Sequence, residues 1–336
     1  MSQFSDKDVI LSIFEYDYQT EPLNNKLNIA FGIDKNFLFG CGVAIASILL
    51  NNKSLSFEFH VFTDYFSDND KKRFSALAAQ YNTCIKIYLI NCDKLKSLPY
   101  TKNWSYATYF RFVIADYFYQ KCDKLLYLDA DIACKGSVQE LVDYRFAEHE
   151  VAAVVTERDI EWWTNRANTL STPALTAGYF NAGFLLININ EWHNNNISNR
   201  AIEMLRIPEW VEKITHLDQD VLNILLAGKV NFISDKFNTR FSINYELKEN
   251  VANPVNQDTV FIHYVGPTKP WHEWANYPVS ESFLTAKNKS PWDEVKLLTP
   301  VNSNQYRYCA KHNFRQKKYL QGIVNYLKYY KFKITK

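Results

Sequence analysis

Four apolar residues, Leu125-Leu-Tyr-Leu128, run directly into two acids placed two positions apart, Asp129 and Asp131. The run has the length of a buried strand. Residues two apart in extended backbone point the same way, so a strand ending like this presents paired carboxylates at the rim of a sheet. Such a rim is half of a site for a hard divalent cation. Three other Asp-x-Asp triplets occur, at Asp6/Asp8, Asp68/Asp70 and Asp218/Asp220. None of them directly follows a buried apolar run. Ser67-Asp-Asn-Asp70 reads instead as a helix start, where side-chain oxygens cap free N–H groups.

Upstream of this strand the pattern alternates. Leu27 to Ile33, Phe57 to Phe62 and Ile85 to Ile90 read as strands, and Phe37 to Leu50, Asp68 to Gln80 and Ser105 to Tyr119 as helices. Alternation predicts an α/β fold, with a mostly parallel sheet flanked by helices on both faces. Gly40 and Gly42 permit close packing near the start of the first helix. Ligands of such sheets bind beyond the carboxyl ends of the strands, where Asp34, Asn36, Asp129 and Asp131 fall. The second half is less regular. Val151 to Val155, Phe184 to Ile189 and Val260 to Tyr264 read as strands, Ile197 to Leu205 and His216 to Leu226 as helices, and residues 157–176 as a Trp-rich loop. The first clear strand begins at Leu27, so residues 1–26 are expected to form an N-terminal extension.

At 336 residues and 47% hydrophobic content, the chain can build a full core. Its six cysteines form no C-x-x-C pair, which argues for reduced thiols and against a zinc ribbon. No apolar run reaches the roughly 18 residues that span a bilayer, and the N-terminal residues lack the pattern of a signal peptide. Phosphate-binding lysine loops, G-x-G-x-x-G and G-x-S-x-G are all missing, which counts against kinases, dinucleotide enzymes and serine hydrolases.

His263 ends a late strand and precedes Gly266 and Lys269. A strand histidine is either a core residue satisfied by hydrogen bonds or a metal ligand. Two carboxylates and an imidazole suit Mn²⁺ first and Mg²⁺ second, with positions left for diphosphate oxygens and a water. Lys269, in a Gly/Pro-rich turn, is either a solvated lysine or a point charge that grips a phosphate.

Five segments occur in order: Phe31-Gly-Ile-Asp-Lys-Asn-Phe37, Leu126-Tyr-Leu-Asp-Ala-Asp131, Tyr179-Phe-Asn-Ala-Gly183, Leu217-Asp-Gln-Asp220 and Ile262-His-Tyr-Val-Gly-Pro-Thr-Lys-Pro-Trp-His272. Together they resemble the family 8 retaining glycosyltransferases, and within them the α-1,3-glucosyl- and galactosyltransferases of the lipopolysaccharide outer core. The resemblance implies a GT-A fold over residues 27–295. It implies that Gly32, Asp34 and Asn36 hold uridine, with Phe37 stacked on the base where relatives often carry Tyr. Asp129, Ala130 and Asp131 would bind the donor, with Asp129, Asp131 and His263 as ligands of Mn²⁺ or Mg²⁺. Gly266 and Lys269 would hold the diphosphate, and Arg111 the donor sugar or phosphate. Asn181, Ala182, Asp218 and Gln219 would surround the hexose. Asp218 is either a nucleophile or a hydrogen-bonding ligand, and the Gln219 amide would stabilise an oxocarbenium-like state. A different acceptor, an α-1,2 linkage, or nucleotide-sugar binding without transfer are the alternatives. Glucose and galactose differ by the orientation of one hydroxyl, which no residue pattern here reads out. In residues 157–176, Trp162 and Trp163 suit sugar stacking, and Arg158 and Arg166, beside Glu157, suit phosphorylated core sugars; a packed loop is the alternative.

Charge is uneven along the chain. Residues 305–336 carry nine basic and no acidic side chains together with eight aromatics. The whole chain sums to +2, so the preceding 304 residues carry −7. Residues 296–336 are expected to form a helical, basic extension lying on the anionic cytoplasmic face of the inner membrane, where a lipid-anchored acceptor would be found. A solvated helix is the plain alternative. No nucleic-acid recognition motif is present, and nothing in the sequence sets an oligomeric state.

Overall fold

The computed structural model describes residues 9–20, 26–100 and 105–334, so Asp6 and Asp8 lie outside the described residues. Strands β1 (Ile10–Asp17), β2 (Leu27–Ile33), β3 (Phe57–Thr63), β4 (Cys84–Ile90), β5 (Lys124–Leu128), β7 (Ala152–Thr156), β8 (Phe180–Asn188) and β9 (Val230–Phe232) form one sheet. Its order is β1-β4-β3-β2-β5-β8-β7-β9. β4, β3, β2 and β5 run parallel, whereas β8 is antiparallel to both β5 and β7. Strands β6 (Ile132–Cys134), β10 (Thr239–Arg240) and β11 (Phe261–His263) make a second sheet of order β10-β11-β6.

The central strands are apolar on both faces because both faces are covered. Leu126 and Leu128 pack in one core with the helices Leu38–Asn51, Asp68–Gln80 and Glu281–Asn288. Leu125 and Tyr127 pack in the other, with the helices Phe110–Phe118, Ile197–Met204 and Leu217–Leu225. Gly40 and Gly42 do admit large neighbours: a Cβ on either would lie within 2.5 Å of a ring atom of Trp271 or Trp292, respectively.

From β2 the chain winds outward to β3 and β4, then returns to place β5 on the other side of β2. The reversal opens a crevice beyond the carboxyl ends of β2 and β5, where Asp34 and Asp129 stand. β8 runs the other way, so its first residues, Phe180 to Gly183, arrive at the same rim; the Asp129 N–H donates to the Gly183 carbonyl at 2.9 Å.

Most of the expected elements are present, and Ser67 with Asp70 forms the reciprocal cap expected at Asp68–Gln80. Beyond short added elements such as β6, β9 and β10, three differences are informative. Residues 10–17 add an edge strand antiparallel to β4, hidden in the sequence because Leu11 and Ile13 point to solvent and blur the alternation. β8 begins at Phe180, four residues early. Residues 157–176 are not one irregular loop: Ile160–Thr169 is a helix, capped by Asp159, whose side chain accepts from Trp162 N–H. Its polar composition concealed it, and its buried face is anchored by a charge pair that no local pattern reveals.

The C-terminal helices behave differently from one another. Ser303–Arg315 buries Cys309, Ala310, His312 and Asn313, whereas Tyr319–Ile334 buries only Gly322.

One polar cluster inside the sheet gives the fold a pH dependence. Burial alone would push the Glu58 carboxyl up, but ion pairs to Lys26 and Lys86 overcome it and hold the group at about 2. Burial, with the two lysines adding to it against Glu58, pushes neighbouring His60 down to about 3. Both are depressed from their ordinary values of 4.5 and 6.5, so both favour the fold at neutral pH. That contribution is lost on acidification, through His60 between about pH 6.5 and 3 and through Glu58 between about 4.5 and 2. Thermal melts should fall over this range, and His60→Gln should remove the upper part of the fall, roughly 2–4 kcal/mol. An unchanged melting profile in that variant would assign the acid sensitivity elsewhere.

Candidate active site

β11 is antiparallel to β6, with His263 opposite Ile132 and the Tyr264 N–H donating to the Asp131 carbonyl at 2.9 Å. This register carries a histidine across more than 130 positions to the two acids. His263 Nε2 lies 3.2 Å from Asp131 Oδ1 and 3.9 Å from Asp129 Oδ2, and one donor atom from each of the three residues lies within 4.8 Å of the others. The opposite ring nitrogen, Nδ1, is 2.9 Å from Asn238 Oδ1. Asn238 Nδ2 donates in turn to Asn181 Oδ1 (3.1 Å), which also accepts from Gly183 N–H (3.1 Å). This chain makes Asn238 Oδ1 an acceptor, so Nδ1 carries a proton and Nε2 is the ring nitrogen left to face the carboxylates. Once that nitrogen gives up its hydrogen to a bound cation, its lone pair joins the two carboxylates in one donor set. A cation fits that donor set, with Asn238 as the outer partner that orients the imidazole.

Gly183 floors the cradle. A Cβ there would stand 2.5 Å from His263 Cε1 and 2.6 Å from Asp129 Oδ2. Gly183→Ala should therefore push the His263 and Asp129 side chains apart, lowering turnover assayed with Mn²⁺ by about 10²-fold with a melting temperature near that of the wild type. Full activity in that variant would mean the cradle tolerates a methyl group.

Lys269 ion-pairs with Asp131 and donates to the Tyr264 carbonyl at 2.8 Å. Burial would raise the Asp131 carboxyl, but Lys269 and His263 outweigh it and hold the group well below the usual carboxylate range. Lys269 is thus neither solvated nor remote; it walls the cluster of Asp129, Asp131 and His263 on one side. Gly266 has φ +91°, where a side chain would be strained.

Arg111 sits beneath the acids and is buried. Its Nε donates to Thr108 O (3.0 Å) and lies 3.0 Å from Asp218 Oδ2; Nη1 donates to Ala182 O, and Nη2 is 3.3 Å from Asp129 Oδ1. The guanidinium also lies over the Tyr127 ring at 4.6 Å. The sequence reading put Arg111 against donor sugar or phosphate; in the structure its donors are engaged by protein atoms. Asp218 accepts from the Thr108 hydroxyl as well, and burial pushes its carboxyl up to about 6 despite Arg111.

Gln219 is fixed at both ends of its amide. Oε1 accepts from Asn181 Nδ2 (3.0 Å) and Ala182 N–H (3.1 Å), while Nε2 donates to Glu157 Oε2 (3.1 Å) and to Tyr179 Oη (3.3 Å). The Asp-x-Asp that opens the helix Leu217–Leu225 is divided. Asp218 turns to Arg111, whereas Asp220, fully buried, pairs with Arg166 through both carboxylate oxygens. Arg166 is therefore a scaffold residue and not a ligand for phosphorylated sugars. Trp162 rests edge-on against Tyr179, ring centres 4.7 Å apart, with Arg158 exposed beyond it, and the Trp163 indole donates to the Glu157 carbonyl at 2.5 Å.

On the β2 side, Asp34 accepts from Asn36 N–H (2.8 Å) and from the Ser105 hydroxyl (3.1 Å). Asn36 is exposed, and Phe37 is half-buried, edge-on to Trp271. Gly32 admits the helix Phe110–Phe118: a Cβ there would meet Phe110 Cβ at 2.7 Å. Ala130 and Ala182 are buried, and the Ala182 N–H and carbonyl are held by Gln219 and Arg111. The sequence reading missed Asn238 and Thr108. Gly183 lay in view within Tyr179–Gly183 but was given no role; the other two carry no local signal.

Comparison with known proteins bears on the whole chain. The family models for Glycosyl transferase family 8 and its C-terminal region match residues 28–275 and 277–333. A lipopolysaccharide 1,3-galactosyltransferase of Salmonella typhimurium is 60% identical over 332 residues, 99% of this chain and 98% of its own length. The lipopolysaccharide glucosyltransferase WaaO of Escherichia coli K12 is 56% identical, covering 98% of both chains. Among solved structures, the galactosyltransferase LgtC in complex with donor and acceptor sugar analogs superposes with a TM-score of 0.65 at 25% identity, covering 79% of this chain and 96% of LgtC.

Proposed function

The chain belongs to glycosyl transferase family 8 and is a UDP-sugar-dependent glycosyltransferase, and on that premise we propose that it moves a hexose, with retention, from UDP-glucose or UDP-galactose to a glucosyl residue of the lipopolysaccharide outer core, forming an α-1,3 linkage. The observation that carries this reading is end-to-end similarity, at 60% and 56% identity, to two enzymes named for lipopolysaccharide.

Asp129, Asp131 and His263 would hold Mn²⁺ or Mg²⁺, which supplies Lewis-acid neutralisation of the leaving diphosphate. Gly32, Asp34, Asn36 and Phe37 line the uridine end, and Gly266 and Lys269 the diphosphate. Lys269 already faces Asp131, so its charge meets the leaving group where negative charge grows. Ala130, Asn181, Ala182, Asp218 and Gln219 bound the hexose. Arg111 serves as a positioning residue: it ties Asp129, Asp218 and the Ala182 carbonyl to one rigid fork. With Asp218 buried and held by Arg111 and Thr108, same-face attack is favoured, the leaving phosphate taking the proton of the acceptor hydroxyl. A sugar adduct trapped on Asp218 in single-turnover mass spectrometry would replace this with a double displacement.

The test is a panel of UDP-glucose and UDP-galactose with purified truncated core acceptor, the product linkage read by NMR. An α-1,3 product is expected. An α-1,2 product would move the chain toward the 36%-identical lipopolysaccharide 1,2-glucosyltransferases of Escherichia coli, and donor binding without transfer would leave a binding protein.

The last helix supports a membrane partner. Leu320, Ile323, Val324, Leu327 and Ile334 form an exposed stripe at helical spacing, with Lys331 within it and Lys328 at its border. No helix among the described residues is long and apolar enough to cross a membrane. Lying flat on the anionic cytoplasmic leaflet satisfies both the stripe and the charge. Deleting residues 319–336 should abolish co-sedimentation with anionic vesicles; undiminished binding would overturn the anchor.

A further inference from the structure

Between the helix Ser303–Arg315 and the turn that carries Lys269 runs a buried hydrogen-bond chain whose direction can be deduced. The Trp274 indole N–H only donates, and it donates to Thr268 Oγ1 at 3.3 Å. The Thr268 hydroxyl proton is then free for Asn244 Oδ1, 2.7 Å away. That oxygen also lies 2.9 Å from His312 Nε2, which must therefore carry hydrogen. His312 Nδ1, left as an acceptor, takes the Tyr277 hydroxyl at 2.8 Å. Thr268 and His312 are both fully buried. The same helix region reaches Trp274 again, since Gln316 Nε2 donates to the Trp274 carbonyl at 2.9 Å. Trp274 stacks on His272 with ring centres 4.2 Å apart, and His272 Nδ1 accepts the Lys269 N–H at 3.1 Å.

Every link in the chain is polar and paired, Asn244 and Tyr277 half-buried and the rest buried, and it ends one residue before Lys269. We propose that the helix Ser303–Arg315 is part of the donor site: through His312, Asn244 and Thr268 it fixes the turn Gly266–Lys269 so that the Lys269 ammonium stands beside Asp131. His312, Asn244 and Thr268 are positioning residues, and they act only through Lys269. The inference rests on the reading that this turn holds the diphosphate.

The arrangement has a physical rationale. A lysine side chain has four rotatable bonds and carries a large rotamer entropy. Fixing the backbone from which it springs removes part of the cost of placing its charge on each donor molecule. A turn closed by Gly266 at positive φ has no regular secondary structure to hold it, so the hydrogen bonds it donates to Asn244 and His272 take that role.

The test titrates UDP with Mn²⁺ into the full-length protein by calorimetry, with steady-state kinetics alongside. Thr268→Val keeps the shape and removes the hydroxyl. It should weaken UDP about tenfold and lower kcat/KM for the donor by at least as much. Thr268→Ser should restore wild-type binding. In a Lys269→Ala background, Thr268→Val should add nothing, because the group it positions is gone. Asn244→Leu, at a half-buried site, repeats the measurement should Thr268→Val fail to fold. If Lys269→Ala weakens UDP while Thr268→Val and Asn244→Leu do not, the chain has no positioning role and this inference alone fails. The same holds if the effects of Thr268→Val and Lys269→Ala simply add. If Lys269→Ala itself leaves UDP affinity unchanged, the diphosphate reading of the turn fails with it.

Discussion

Replacing Asp131 by alanine should lower hexose transfer by about 10³-fold or more, a barrier increase of about 4 kcal/mol, with no divalent cation restoring it. Three consequences follow from one deletion. The donor set Asp129, Asp131 and His263 loses a member. Lys269 loses its partner and remains part-buried with an uncompensated charge. Nε2 of His263 loses the closer of its two carboxylates, at 3.2 Å. The fold remains, because β5 and β6 are held by backbone pairing and by apolar neighbours. The measurement is transfer with each of Mn²⁺ and Mg²⁺ added in excess, after removal of metal by a chelator. Activity that survives both the substitution and the chelator would remove the metal from the reaction.

The largest loss of stability should come from a residue that touches no substrate. Arg166→Met leaves Asp220 fully buried without its cation. Three other donors remain, Tyr179 Oη at 2.6 Å and the Thr215 and His216 N–H groups at 2.7 and 2.8 Å. They solvate the carboxylate but do not neutralise it. Breaking a buried pair in this way costs about 3–5 kcal/mol, against a total of about 5–15 kcal/mol for an ordinary domain. Arg166→Met should therefore unfold at far lower denaturant than the wild type. The double variant Arg166→Met/Asp220→Asn should recover part of the loss, since the amide carries no charge. Activity should fall as well, because Tyr179 also accepts from Gln219. A loss below about 1 kcal/mol, the range of exposed pairs, would show that water reaches Asp220.

Arg111 and Arg166 show where sequence reading stops. Both arginines are followed in space by an aspartate of the segment Asp218-Gln-Asp220, yet neither pairing is visible along the chain. Arg111 was legible as a site residue only through the family resemblance, and its burial beneath the acids was not legible at all. Arg166 lay in a polar, Trp-rich stretch that looked exposed. A helix there became apparent only once Asp220 supplied the charge that lets one face be buried. β1 was overlooked for the converse reason: an edge strand with two solvent-facing apolar residues lacks the one-sided burial that alternation reports.

What the sequence determined by itself was local. Period two fixes that Asp129 and Asp131 point the same way, and apolar runs fix that their strand is buried. Alternation with helices fixes that the strand ends at a ligand-binding rim. The tertiary structure alone decided which distant groups meet those acids: His263 through the register of β11 on β6, Asn238 behind its ring, Gly183 beneath it, and the C-terminal helix behind Lys269. The reason is physical. Backbone geometry and side-chain direction are set within a few residues, whereas strand register and the pairing of buried charges are settled by the free energy of packing the whole chain at once.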